Sequence, residues 1–424
     1  MANPEHLALL KQGATEWNQW RKQNKRVIPD LEKANLCNLD LSEVNLKQAN
    51  LEQANFSNSN LSNAQLVDAN LQSANFLCAD LRGANLQGAN LDYVIFSKAK
   101  IDSETEIAYK SRQVWEIVNN KSTSKNFSKI DLSNSNLFRA DLSNADLSHA
   151  KLNRANLSNA NLKDAYLFKA DLTGANLHNA DLRNAYFSHA NLTKAYLVGA
   201  SCCGTYFKDA ELQFANFKTA KLSHKTMIDP KWYSVWEIVN RGAAKKNLSG
   251  VDLSNANLQG VNFEEANLTN ANLSNSILLH SNLDRANLTN TDLMGANIGS
   301  IDLSHSTLQG TKLKAIKRER NTQLPVAVKS SKTNLMVREK PEVKIESDNT
   351  IIQPPTQQTP KQKQKSGIFI WIFLLGIMGM IGIGGYVFLN NNPNHPLTQK
   401  LEQLLLDSSY QWLQKLEQLI PATN

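Results

Sequence analysis

Side chains able to do chemistry are few in this 424-residue chain, and their spacing decides how they are read. The four cysteines, Cys37, Cys78, Cys202 and Cys203, include no CxxC pair of the kind that binds zinc or cycles a disulfide. Cys202 and Cys203 could close a vicinal disulfide or lend thiolates to a metal. Against that, Cys202 falls where leucine otherwise recurs, so the pair reads as one packed thiol beside one exposed thiol. Unpaired thiols suit a reducing compartment. The eight histidines show neither HxxxH nor HExxH spacing. His149 and His189 read as isolated surface residues, and His224 enters a segment of different character. Asp131, Asp141, Asp146, Asp171 and Asp181 would be acid–base candidates if they were paired in a pocket. They alternate freely with asparagine at one position of a short pattern, which points to a structural duty. No glycine-rich phosphate loop or nucleophile elbow is present. The chain reads as no enzyme, with no cofactor and no metal site.

What remains is the chemistry of recognition. Tyr166, Tyr186 and Tyr206 lie twenty residues apart, and Lys163, Arg183 and Lys194 fall on the same stretch. Tyrosine and arginine are common anchors in interfaces. The six residues are a candidate partner-binding face; the alternative is a stacked ladder that only stabilises the fold.

The element that would position them repeats every five residues. In ANLSNANLKDAYLFKADLTGANL, residues 155–177, leucine stands at 157, 162, 167, 172 and 177, with alanine two places before each. On a helix, side chains five apart rotate by about 140° and smear around the cylinder. On a flat strand they alternate between faces. They share one interior only if the chain turns a corner once per repeat, which makes a coil. The pattern runs in three blocks, 31–101, 127–222 and 248–313, holding fifteen, twenty and fourteen repeats.

Two inserts separate the blocks, 102–126 and 223–247, and they resemble one another: VWEIVNN at 114–120 answers VWEIVNR at 235–241. Asp131-Leu132-Ser133-Asn134 recurs at the same offset as Asp252-Leu253-Ser254-Asn255, so a larger unit has been duplicated. Ile107, Ser111, Val114 and Val118 follow helical spacing, as do Ile228, Val235 and Val239. Each insert reads as a helix docked on the coil. The repeat is compatible both with one continuous stack and with three.

ADLSN (140–144), ADLTG (170–174) and ANLQG (84–88) match A(D/N)LXX, and the chain resembles the pentapeptide-repeat family over about two-thirds of its length. The resemblance implies an all-β solenoid, a right-handed quadrilateral β-helix with four pentapeptides per coil, of a kind common in cyanobacteria. A twenty-residue coil predicts that Phe56, Phe76 and Phe96 stack, as should Phe187 on Phe207. Leucine fills the axis, alanine takes a tighter inward place, and asparagine and aspartate suit the corners. Coils should lie about 4.8 Å apart. Residues 1–30 read as an N-terminal helical cap, with Leu7, Leu10, Ala14, Trp17 and Trp20 near one stripe, closing an otherwise open edge. No apolar run of signal-peptide kind occurs there, so the chain is expected to begin without a secretory address.

After Leu313 the composition changes. Residues 314–366 read as a disordered linker with 12 basic and 5 acidic residues, against a net charge of +8 for the chain, while residues 31–313 balance 27 basic with 27 acidic. Some proteins of the resembled family mimic DNA with an acidic rod to bind type II topoisomerases. A neutral rod cannot present one negative charge per ~1.7 Å, nor has it the footprint of a nucleic-acid binder. Topoisomerase mimicry is the disfavoured alternative, and no nucleic-acid partner is expected. GIFIWIFLLGIMGMIGIGGYVFL, residues 367–389, carries no charge, is long enough to cross a bilayer and reads as one transmembrane helix. Lys361, Lys363 and Lys365 precede it and no basic residue follows until Lys400, which places the solenoid on the cytoplasmic side. Residues 390–424 read as an amphipathic tail, lying on the far leaflet or pairing with a partner helix. Self-association could run through the membrane helix or this tail. The function expected is a membrane-anchored scaffold for an unidentified protein partner, with regulation of a membrane transporter as one form of it.

Overall fold

A computed structural model describes residues 1–319, 322 and 323. Most of residues 314–366, and all of the 367–389 and 390–424 segments, lie outside the described residues. Among the described residues no helix is long and apolar enough to cross a membrane.

Five-residue spacing builds a four-sided parallel coil. Bridges pair most wall residues with the residue twenty ahead, as Asp30 with Asn50 and Asp292 with Lys312. Inward leucines are almost wholly buried, as are the alanines two places earlier. Phe56, Phe76 and Phe96 stack on one wall with centroids 5.2 and 6.1 Å apart, and Phe187 lies 5.3 Å from Phe207. Where serine or threonine replaces the inward alanine, its hydroxyl donates to a backbone carbonyl: Thr205 to Leu182 at 2.7 Å, Thr291 to Leu268 at 2.8 Å. A buried hydroxyl without such an acceptor would destabilise the core.

The corners match the sequence expectation only in part. Many asparagines and aspartates take the left-handed corner place, Asn38 and Asp68 among them, but those of the A(D/N)L motif stand on the walls, just before each corner. Their Oδ1 accepts the N–H two residues on, as Asp131 does from Ser133 at 2.9 Å, and often the amide of the coil below or above, as Asn35 does from Asn55 at 3.2 Å. The corner itself is a four-residue turn, closed by Ala34 N–H donating to Leu31 O at 3.0 Å. Its third residue is left-handed whatever its type: Lys33 at φ 59°, Tyr93 at 60°, His149 at 60°. A left-handed L-residue costs roughly 1–2 kcal/mol. The geometry aims that residue's N–H along the stack, where Lys33 N–H reaches Glu52 O at 2.7 Å, and this bond offsets the strain.

The cap is two helices, α1 (Pro4–Leu10) and α2 (Ala14–Gln23), broken at Gly13, whose φ of 129° suits glycine alone. Asn18 stands in for a missing coil: its Oδ1 takes Asn45 N–H at 2.8 Å and its Nδ2 gives to Glu43 O at 3.0 Å. Buried Trp17 donates to Asn45 O at 2.8 Å.

Each insert begins by continuing the stack for a few residues, so that Asn85 pairs with Glu106 and Tyr206 with Met227. Then comes a helix, α3 (Tyr109–Val118) or α4 (Pro230–Arg241). Trp115 Nε1 donates to Ala99 O at 2.7 Å, and Trp236 Nε1 to Ala220 O at 2.8 Å. These carbonyls would otherwise accept from the next coil, as Ala79 O does from Lys100. Across the helix the next block meets the last directly at one corner: Tyr93 N–H bonds Asn134 O, and Phe214 N–H bonds Asn255 O, both at 2.7 Å. One corner ladder therefore runs from Lys33 to Lys314 through both junctions, and the three blocks form one stack. It also passes Leu313, for Gly295 N–H bonds Lys314 O and the short strands β1 (Asn297–Gly299) and β2 (Lys317–Arg318) pair in parallel. The first residues assigned to the linker thus belong to the solenoid. Ile316 fills the place of alanine and Arg318 that of leucine, which hid the last turn from the repeat.

Candidate functional site

The twenty-residue register puts Tyr166, Tyr186 and Tyr206 in one column on one wall. Tyr166 and Tyr186 tilt at 5.9 Å, and Tyr186 stacks on Tyr206 at 4.6 Å and 14°. Tyr166 is 59% exposed, and Met227, which extends the column, is 58% exposed.

Lys163 and Arg183 stand one above the other at the corner beside this wall. Lys163 pairs with Asp164 at 3.5 Å. Arg183 grips Asp181 on the neighbouring wall through Nε at 2.8 Å and an Nη at 2.6 Å. The guanidinium, with the Arg183 backbone N–H, holds the Asp181 carboxyl below the usual range despite partial burial. Lys194 is not part of the group: its corner lies diagonally across the coil, next to Tyr196.

The far edge of the tyrosine wall holds residues that motif spacing did not reveal. Phe168 is sandwiched edge-on between His149 and His189, each at 5.7 Å and 87°, with Lys169 over its ring at 5.1 Å. Phe168 follows His149 by just under one coil and precedes His189 by just over one, so the signal was present. The wall is an aromatic surface edged by cations.

All four cysteines are free thiols. Cys202 is wholly buried, and burial pushes its thiol well above the ordinary range, whereas Cys203 is half-buried. Iodoacetamide on the native protein should leave Cys202 unmodified while Cys37, Cys78 and Cys203 react, with mass spectrometry reading the sites. Modification of Cys202 at the rate of Cys203 would contradict the packed interior.

Two family descriptions match. Residues 126–154, 146–184, 185–223, 247–278 and 280–310 match "pentapeptide repeats", and residues 30–105 match "pentapeptide repeat region". Together they cover more than half of the chain. Among solved structures, HetL, a pentapeptide repeat protein involved in heterocyst differentiation regulation from the cyanobacterium Nostoc sp. strain PCC 7120, is 22% identical; the match covers 74% of this chain and 99% of HetL, with a TM-score of 0.17. Rfr23, from the cyanobacterium Cyanothece 51142, is 28% identical over 39% of this chain and 91% of its own, with a TM-score of 0.14. QnrB1, a plasmid-mediated fluoroquinolone resistance protein, is 16% identical over 46% and 94%, with a TM-score of 0.22. Such low scores support no argument about function. No curated protein matches.

Proposed function

The chain belongs to the pentapeptide-repeat family, and from that premise we propose that it is a non-enzymatic scaffold whose solenoid walls dock protein partners beside a membrane. Members of this family are in general structural or interaction proteins. The observation that carries the reading is the single ladder from Lys33 to Lys314, which holds the walls of three blocks in fixed register. A rigid surface binds with little ordering cost. The tether rests on the uncharged run 367–389, and the basic residues before it favour a cytoplasmic solenoid. A partner held in the same bilayer, a transporter for one, would meet the walls at high effective concentration.

Cross-linking in native membranes, followed by identification of captured neighbours, tests the scaffold; resistance to alkaline extraction tests the tether. Replacing Tyr166, Tyr186 and Tyr206 together by serine should lower recovery of the main neighbour at least tenfold. Circular dichroism should still report a folded coil, since each lost ring pair contributes only about 0.5–1.5 kcal/mol. Unchanged recovery from the triple variant removes the tyrosine wall from the proposal.

A further inference from the structure

Although residues 31–313 carry balanced charge, the four walls do not share it equally. Following the bridges assigns each residue to a wall. One wall carries Asn136, Asn156, Asn176 and Tyr196, then Asn216, and beyond the second junction Asn257, Ile277, Asn297 and Lys317. From Ser133 to Lys317, this wall and its two corners contain no aspartate or glutamate, the first acid being Glu319 at the corner just beyond Lys317. They contain Arg139, Arg154, Lys194, Lys218, Lys314 and Lys317, all exposed. The described ion pairs elsewhere join lysines and arginines to carboxylates on the other walls and corners; none involves these six.

At the second junction the wall becomes a groove. The blocks touch at the Phe214–Asn255 corner, and beside it a hollow of about 480 Å³ is lined by Lys194, Tyr196, Phe214, Asn216, Asn257 and Lys317 among others. Tyr196 is 52% exposed. Higher on the wall the side-chain amides satisfy each other, Asn156 donating to Asn136 at 3.3 Å and Asn176 to Asn156 at 3.5 Å. In the hollow, Asn216 and Asn257 accept backbone N–H groups through Oδ1, but their Nδ2 groups have no partner among the described residues. The groove thus presents donors: two ammonium groups, two free amides and a phenol, around a pair of rings.

We propose that this groove and the acid-free wall leading into it dock an extended, acidic segment of a partner protein. The inference deepens the scaffold reading and rests on it. Carboxylates and peptide carbonyls match the donors, and the rings suit an interleaved apolar residue. At about 3.3 Å per residue an extended chain of a dozen residues spans the roughly 40 Å of wall. Two other anionic occupants fit less well. A bilayer is flat on this scale and would bridge the hollow, and six cations are too sparse for the charge density of a nucleic acid.

The test uses the purified full chain in a neutral detergent and a fluorescein-labelled (Glu-Ser)6 peptide, followed by fluorescence anisotropy. Saturable binding that weakens with added salt is expected, with Kd rising at least tenfold in Lys194→Glu/Lys317→Glu. The control Lys208→Glu/Lys245→Glu, placed at corners away from the groove, should change Kd less than twofold. Equal loss in both variants, or no saturable binding at millimolar peptide, overturns the proposal. So does a preference of the groove for phosphatidylserine vesicles or oligouridylate over the peptide. If native cross-links map to the tyrosine wall while the peptide fails to bind, the scaffold stands and this inference alone falls.

Discussion

Replacing Leu172 with aspartate is expected to unfold the second repeat block, while Leu172→Ala should weaken it by about 2–5 kcal/mol. Leu172 is fully buried on the axis, and the register sets it between Leu152 and Leu192, both equally buried. The interior around it is aliphatic, so an aspartate would find no partner there. Burying an unpaired carboxylate costs several kcal/mol even after the group takes up a proton. Sliding the chain offers no escape, because a slip of one residue would bring the polar corner residues inside. Solenoid stability is a sum of unit and nearest-neighbour contributions, so damage spreads to adjoining coils before it reaches the ends. Hydrogen exchange read by mass spectrometry should show lost protection across residues 127–222 and retained protection beside the cap. Full protection around Asn191 and Leu192 in the aspartate variant would mean that the axis is not the packed core described.

Much of this fold was written in spacing. Leu157, Leu162 and Leu167 require a corner per repeat, and the phenylalanines at 56, 76 and 96 set the coil at twenty residues; both stand in the structure. What spacing could not show is which backbone group each side chain serves. Asn35 and Asp131 suit corners by residue type, yet they brace the corner from the wall, and the left-handed place accepts lysine, tyrosine or histidine as well as asparagine. The site was legible in part. Twenty-residue arithmetic found the tyrosine column but treated Lys194 as a neighbour, although sharing a stretch of sequence is not sharing a wall. His149 and His189 seemed isolated because HxxxH spacing supposes a helix, whereas on a square coil neighbours lie about one full turn of the coil apart. The acid-free wall has no local motif at all. Its residues belong to separate repeats and are gathered only when the junction register, Phe214 against Asn255, is known.

That junction sets the second large effect: Trp236→Ala should uncouple the third block from the second. Trp236 is 7% exposed and its indole takes the place of a coil, donating to Ala220 O, while Asn240 bonds Phe217 O at 3.0 Å from the next turn of α4. Removing a buried tryptophan costs about 3–5 kcal/mol through lost burial and the cavity left. The orphaned carbonyl of Ala220 pushes the loss toward the upper end, and Trp236→Phe isolates that share at about 1–3 kcal/mol. The duplicated helix supplies an internal control. Trp115 makes the matching bond to Ala99 but is less deeply buried, so Trp115→Ala should cost less than its counterpart. In urea, the parent chain should lose the two blocks together, and Trp236→Ala should separate them into two transitions. Faster exchange at the Phe214 amide, whose bond to Asn255 O joins the blocks, should accompany the split. A single unshifted transition, with Phe214 as protected as before, would show that the corner contact alone couples the blocks and that α4 is only a cover.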